Sequence, residues 1–205
     1  SVGNEKDAES FSTSGKTTVT ITGNAKIGAD DGNGNIYGAA RGDLNVQKEN
    51  FANVRTTEVE INGNADIKGS VFGGGEAGIV WEGVTVNMLG GTVAKDLYGG
   101  GALADTQLAN NNEGNTPSTH VTTVNLKGGT INHNAYGGGL GTSDTMDDTG
   151  TITPDGVQAM VYGDVILNLN EGVANTSKGC IVKGSIFGCN NLNGTPKGNV
   201  TVHIH

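Results

Sequence analysis

The sequence predicts an all-β protein, a right-handed parallel β-helix of about five to six coils with variable loops, and three observations carry that reading. Short runs alternate apolar and polar residues with period 2. An aromatic residue followed by glycine returns in one slot of every copy. The intervals between copies are irregular while the runs themselves stay constant, so stacked strands are joined by loops of free length. Of 205 residues, 36 are glycine, 3 are proline and only 4% are aromatic, which suits a narrow core column better than a wide globule. The proline count excludes collagen. The many Val, Ile and Thr runs favour strands over low-complexity disorder.

Residues 1–16 read as an N-terminal segment, extended or capping. Residues 17–205 read as the β-helix, truncated at its C-terminal end because "VTVHIH" opens a coil with no second or third face. The first face is "TVTITG" (18–23), "EVEING" (58–63), "VTVNMLG" (84–90), "TTVNLKG" (122–128), "DVILNLNEG" (164–172) and "NVTVHIH" (199–205). Alternation such as Val84, Val86 and Met88 marks a strand with one buried side. The second face is a short piece ending in Ile27, Ile67, Val93, Ile131 or Val182. The third carries the aromatic: Tyr37, Phe72, Tyr98, Tyr136 and Phe187, which lie 35, 26, 38 and 51 residues apart in turn. Twenty-six residues is too short for a propeller blade, which needs roughly 40. Only "GDLNVQKENFANV" (42–54) has a helical pattern.

The five aromatics are expected to form one continuous stack in chain order, facing the core or its margin, with tyrosine hydroxyls reaching solvent. In the rival arrangement the preceding residues (Ile36, Val71, Leu97, Ala135 and Ile186) face in and the rings form an outer stripe. After each ring comes Gly38, Gly73, Gly99, Gly137 or Gly188, always glycine, so this position needs a positive φ or a close backbone approach. The next two positions admit Ala39, Ala40, Cys189 and Asn190, and are expected to release the chain into loops. Cys180 and Cys189 are expected to be free thiols on different corners. Asn87, Asn125 and Asn168 occupy equivalent outward positions and predict a side-chain ladder.

A net charge of −9 with no Lys/Arg cluster excludes a nucleic-acid or anionic-membrane surface, and no apolar run is long enough to insert in a bilayer. Calcium is the one cofactor with candidate ligands. "DDGNGN" offers Asp31, Asn33 and Asn35 at alternate positions, and the loop 140–156 offers Asp144, Asp147 and Asp148. The match at 30–35 is partial, because Ile36 stands where a calcium loop has glycine. Glu58, Glu60 and Asp66 share one coil, but no carboxylates stack on them in the next. His120, His133, His203 and His205 share no ligand spacing. No catalytic set emerges from the residues.

The repeated "VFGGG", "LYGGG" and "AYGGG" pieces, with "SIFGCNNLNGTPKGNVTVHIH" (185–205), resemble the β-helical repeats of large secreted or surface-anchored adhesin-like proteins of gut bacteria. The resemblance covers roughly residues 17–205 and is specific for architecture, not activity. It implies an extracellular or cell-surface location, a longer parent chain, and no common catalytic residues. The expected function is a non-catalytic structural or adhesin-like module that binds glycan or a host protein through its inter-coil loops. The competing expectation is a carbohydrate-active β-helix enzyme of the polysaccharide lyase or glycosidase kind.

Overall fold

The computed structural model describes residues 15–29, 33–44, 52–108, 117–174 and 178–205. Among them the chain is all-β, with parallel strands in its two large sheets. The first repeat holds β1 (Lys16–Ile21), β2 (Lys26–Ile27) and β3 (Ile36–Tyr37), and the second β4 (Thr56–Ile61), β5 (Asp66–Ile67) and β6 (Val71–Phe72). The third holds β7 (Val84–Val93) and β8 (Leu97–Tyr98), the fourth β9 (Val121–Ile131) and β10 (Ala135–Tyr136). A hairpin, β11 (Thr145–Met146) and β12 (Ile152–Thr153), precedes the fifth repeat, β13 (Asp164–Leu169), β14 (Ile181–Val182) and β15 (Ile186–Phe187); β16 (Val200–Ile204) comes last. The expected extent of the segment 1–16 falls almost wholly outside the described residues, as does most of the helical pattern at 42–54.

Each strand pairs with its equivalent one repeat away. The nine-stranded sheet follows the path β1-β4-β7-β9-β13-β16 and the five-stranded sheet the path β15-β10-β8-β6-β3. Register keeps like on like: Val19 pairs with Val59, Val59 with Val86, Val86 with Val124, Val124 with Leu167 and Leu167 with Val202. The inward side chains therefore form apolar columns, and Val59, Val86, Val124 and Leu167 are fully buried. The expected first and second faces belong to one sheet. In β7 and β9 the strand runs through both, bending where Gly91 and Gly129 take positive φ. A side chain there would strain the backbone, so glycine lets the ladder continue round the corner.

A third line of contact completes each repeat and was not read from the sequence. Single parallel bridges link Val54 to Val80, Val80 to Thr106, Thr106 to Val161 and Val161 to Pro196. Val80, Val161 and Pro196 each stand four places before the first valine of the next strand (Val84, Val165 and Val200), and this is the line's sequence signal.

The aromatic stack is continuous and in the expected order. Ring centroids lie 5.1, 4.7, 4.8 and 4.9 Å apart from Tyr37 through Phe72, Tyr98 and Tyr136 to Phe187. Its inward placement is corrected. Val71, Leu97 and Ala135 enter the main core, and the rings lie on the opposite side of the five-stranded sheet in a second cluster with Ala102, Leu103 and Leu140. The three middle rings, Phe72, Tyr98 and Tyr136, are nonetheless buried, while Tyr37 is half-buried and Phe187 exposed. The hydroxyls of Tyr37, Tyr98 and Tyr136 accept from the side-chain amides of Asn35, Asn191 and Asn134.

This arrangement explains the glycines. Alternation puts the predecessor in, the ring out and the next residue in again. A Cβ on Gly99 would sit against the Gly137 carbonyl oxygen and the methyls of Thr122 and Val124, all within 2.8 Å. Gly73 and Gly137 face the same obstacle one repeat on, and none of the five ring-following glycines has a positive φ. Close approach, not φ, is the requirement. The second and third glycines are corrected too: a Cβ on Gly100 would meet Gly139 backbone at 2.7 Å. Rather than leaving at once, the chain folds back over the rings, where Leu103 N–H donates to the Glu76 carbonyl and Leu140 N–H to Gly101.

Gly99→Ala is expected to cost about 1–3 kcal/mol, because the backbone of two stacked repeats must part. Gly83→Ala, whose Cβ would meet only the Val121 carbonyl at 3.3 Å, is expected to stay within about 0.5 kcal/mol of the parent protein. Urea unfolding followed by circular dichroism checks both. Equal effects would refute close approach as the reason for glycine.

Candidate functional site

The constant strands leave little room for chemistry, so the site must be sought where the chain departs from the stack. Departures cluster on both sides of the line Val54–Val80–Thr106–Val161–Pro196: the stretches 38–53, 107–120 and 137–160 all leave and return beside it. Just after Thr106, and at the separate corner after Leu169, a side chain bonds backbone groups of the column. Gln107 is fully buried with a φ of 62°; its Oε1 accepts from Gly163 N–H at 2.8 Å and its Nε2 donates to the Asp164 carbonyl at 3.3 Å. Asn170 treats Cys180 the same way, accepting from its N–H at 2.7 Å and donating to its carbonyl at 3.3 Å. A carboxamide has the donor and acceptor of a peptide group, so it stands in for the absent strand. Asn35, Asp96 and Asn134, two residues before a ring, accept from Ser70, Asn134 and Ser185 N–H of the following repeat.

Among the described residues, Asp105 is the one carboxylate that desolvation moves far. Burial pushes its carboxyl up to about 6, opposed by the Met160 N–H, which donates to it at 2.9 Å, and by the Tyr162 hydroxyl. Tyr162 rises to about 12, again through burial and then through the charge of Asp105. The pair ties the long insertion 137–160 to the preceding repeat.

The hairpin β11–β12 stands out from that insertion. Asp147 Oδ1 accepts from Thr149 N–H, Thr149 Oγ1 and Thr151 N–H; Asp155 accepts from Thr145 N–H and Oγ1; Asp144 accepts from Gly156 N–H at 2.9 Å. The Thr149 hydroxyl holds the Asp147 carboxyl below its ordinary range, and the Thr145 N–H does the same for Asp155. Of the calcium candidates, Asp144 and Asp147 thus bind their own loop, while Asp148 is exposed on the same turn. Asn35 bonds Ser70 and Tyr37, the Asn33 carbonyl packs against Gly28, and Asp31 lies outside the described residues. No three His, Cys, Asp or Glu side chains come together to hold a metal ion among the described residues.

The outward carboxylates are spread among partners. Lys16 Nζ is 2.6 Å from Glu58, Lys68 Nζ 2.9 Å from Asp66, Arg55 2.6 Å from Glu82, and Arg41 3.6 Å from Glu76. The asparagine ladder forms as expected: Asn125 donates to Asn87 and Asn168 to Asn125, each at 2.9 Å, and His203 Nδ1 lies 2.9 Å from Asn168 Oδ1. His203 extends this ladder, and its ring centroid is 6.5 Å from that of His205. A cleft of about 480 Å³ lies between Arg41, Asp43, Leu44, Glu76 and Leu103. No described helix is long and apolar enough to cross a membrane.

These features define an all-β protein of parallel, repeat-stacked sheets with its irregular segments gathered beside one line. The sequence matches no protein-family model, and neither the curated proteins nor the solved structures yield a match.

Two outcomes are expected. Asp105→Asn keeps an acceptor for the Met160 N–H, replaces the other oxygen by an NH2 that can donate to the Tyr162 hydroxyl oxygen, and removes the buried charge. A folded carboxyl near 6 against 3.8 in the unfolded chain favours the folded state below about pH 4, and that advantage is lost as pH rises through about 6. The variant is therefore expected to exceed the parent in stability by about 1–2 kcal/mol above pH 6, with the difference vanishing near pH 4. Thermal midpoints from pH 4 to 8 read this, and a constant difference across the range would refute it. Both thiols are unpaired, Cys180 buried and Cys189 exposed, and burial pushes Cys180 up to about 12. Alkylation of the native protein without reductant is expected to label Cys189 alone, and the unfolded protein to take two labels.

Proposed function

We propose that the chain is a non-catalytic display module of a secreted or cell-surface protein: a right-handed parallel β-helix whose stacked strands are scaffold and whose loops bind. The right-handed winding follows from the strong bias of parallel crossovers toward that hand. The observation that carries the functional reading is the segregation of variability. Every position in the columns is committed to the next repeat, whereas the long insertions collect along the single bridge line from Val54 to Pro196. Long loops on a rigid scaffold are where binding is usually placed. The repeat resemblance to adhesin-like surface proteins of gut bacteria supports the same reading and the extracellular location.

Incubation of the protein with immobilised polysaccharides and extracellular proteins, followed by product analysis, tests this. The expected result is binding that leaves the bound material intact. Release of shortened or unsaturated oligosaccharides would instead establish a carbohydrate-active enzyme and overturn the proposal.

A further inference from the structure

The hairpin carries an unpartnered apolar face. Met146 and Ile152 are directly opposed across β11 and β12, so their side chains leave the same side of the two-stranded sheet. They are 69% and 63% exposed, the former being the most exposed large apolar residue among those described. A two-stranded hairpin is marginal in water by itself. This one is held by the carboxylates of Asp144, Asp147 and Asp155 and anchored by the Asn193 amide, which donates to the Thr142 carbonyl at 2.9 Å. Asp147 and Asp155 take up the N–H groups of Thr149, Thr151 and Thr145, so the apolar pair is presented by an ordered element, which lowers the entropic cost of docking.

Charge selects the occupant. Asp144, Asp147, Asp148 and Asp155 flank the pair, and no Lys, Arg or His occurs anywhere from 134 to 177. An anionic polysaccharide would be repelled. A neutral sugar would need aromatic faces, and the rings of the central repeats are covered by Ala102, Leu103 and Leu140. Resting on the loop-binding reading above, we propose that the β11–β12 hairpin docks through Met146 and Ile152 into an apolar cleft rimmed by Lys or Arg on a protein partner. The apolar pair supplies the anchor and the aspartates supply orientation and on-rate.

Methionine methyl NMR reads this directly, because Met88 and Met160 are buried and Met146 is exposed. The probe is an amphipathic Lys/Leu helical peptide, with a Glu/Leu peptide of the same pattern as control. The Lys/Leu peptide is expected to shift the Met146 methyl and leave Met88 and Met160 unmoved, more weakly as salt rises. The double variant Met146→Ser, Ile152→Ser keeps every charge and is expected to lose at least about tenfold in affinity. Both residues are exposed, so an unchanged circular dichroism melt will verify that the fold is kept. Absence of binding, an unmoved Met146 methyl, equal affinity in the double variant or equal binding of the Glu/Leu peptide would each overturn the proposal. Polysaccharide binding at other loops alongside any of those results would leave the display-module reading standing while this one falls.

Discussion

Everything in this protein depends on one spacing. Parallel strands pair about 4.8 Å apart, and each repeat must offer the next a like residue at every point of its cross-section. The aromatic rings obey that spacing, with centroids 4.7–5.1 Å apart and interplanar angles of 4–12°. Flat rings stack at the pitch of the sheet they stand on, so the ladder of side chains and the ladder of peptides are satisfied together. The glycine after each ring answers to the same pitch. It faces inward, where the valine methyls of the first strand and the next repeat's carbonyl already occupy the space of a Cβ. A motif that resembles a flexible linker is in fact a tightly packed part of the cross-section.

The second theme is what happens when the stack is interrupted. Insertion breaks the ladder and leaves buried peptide groups without partners, at a cost comparable to a lost hydrogen bond for each. Gln107 and Asn170 offset that cost by carrying an acceptor and a donor to the height of the missing strand. Loop length can then vary while the column beneath stays unbroken. The same logic separates scaffold from loop along the chain and places the ordered hairpin at the end of the longest described insertion.

The sequence by itself determined the repeat, the strand positions, the pairing of like residues and the order of the aromatic ladder, because period-2 alternation and a recurrent ring-glycine slot are local patterns that stacking preserves. It also placed the asparagine ladder and the two separate cysteines. It did not decide which side the rings take. Alternation says only that Val71 and Phe72 point opposite ways, and the larger residue looks like the better candidate for burial. Tertiary structure reversed that expectation because the chain folds back over the rings and buries them in a second cluster, so burying Phe72 never required displacing Val71 from the main core. The bridge line was hidden because one residue per repeat gives no periodicity to read. The roles of Gln107 and Asn170 were hidden because a carboxamide beside a loop has meaning only once the height of the neighbouring strand is known. The carboxylates of 144–155 looked like cation ligands for the same reason: sequence shows that the charges are close, and only the folded hairpin shows that those of Asp144, Asp147 and Asp155 are turned toward its own backbone.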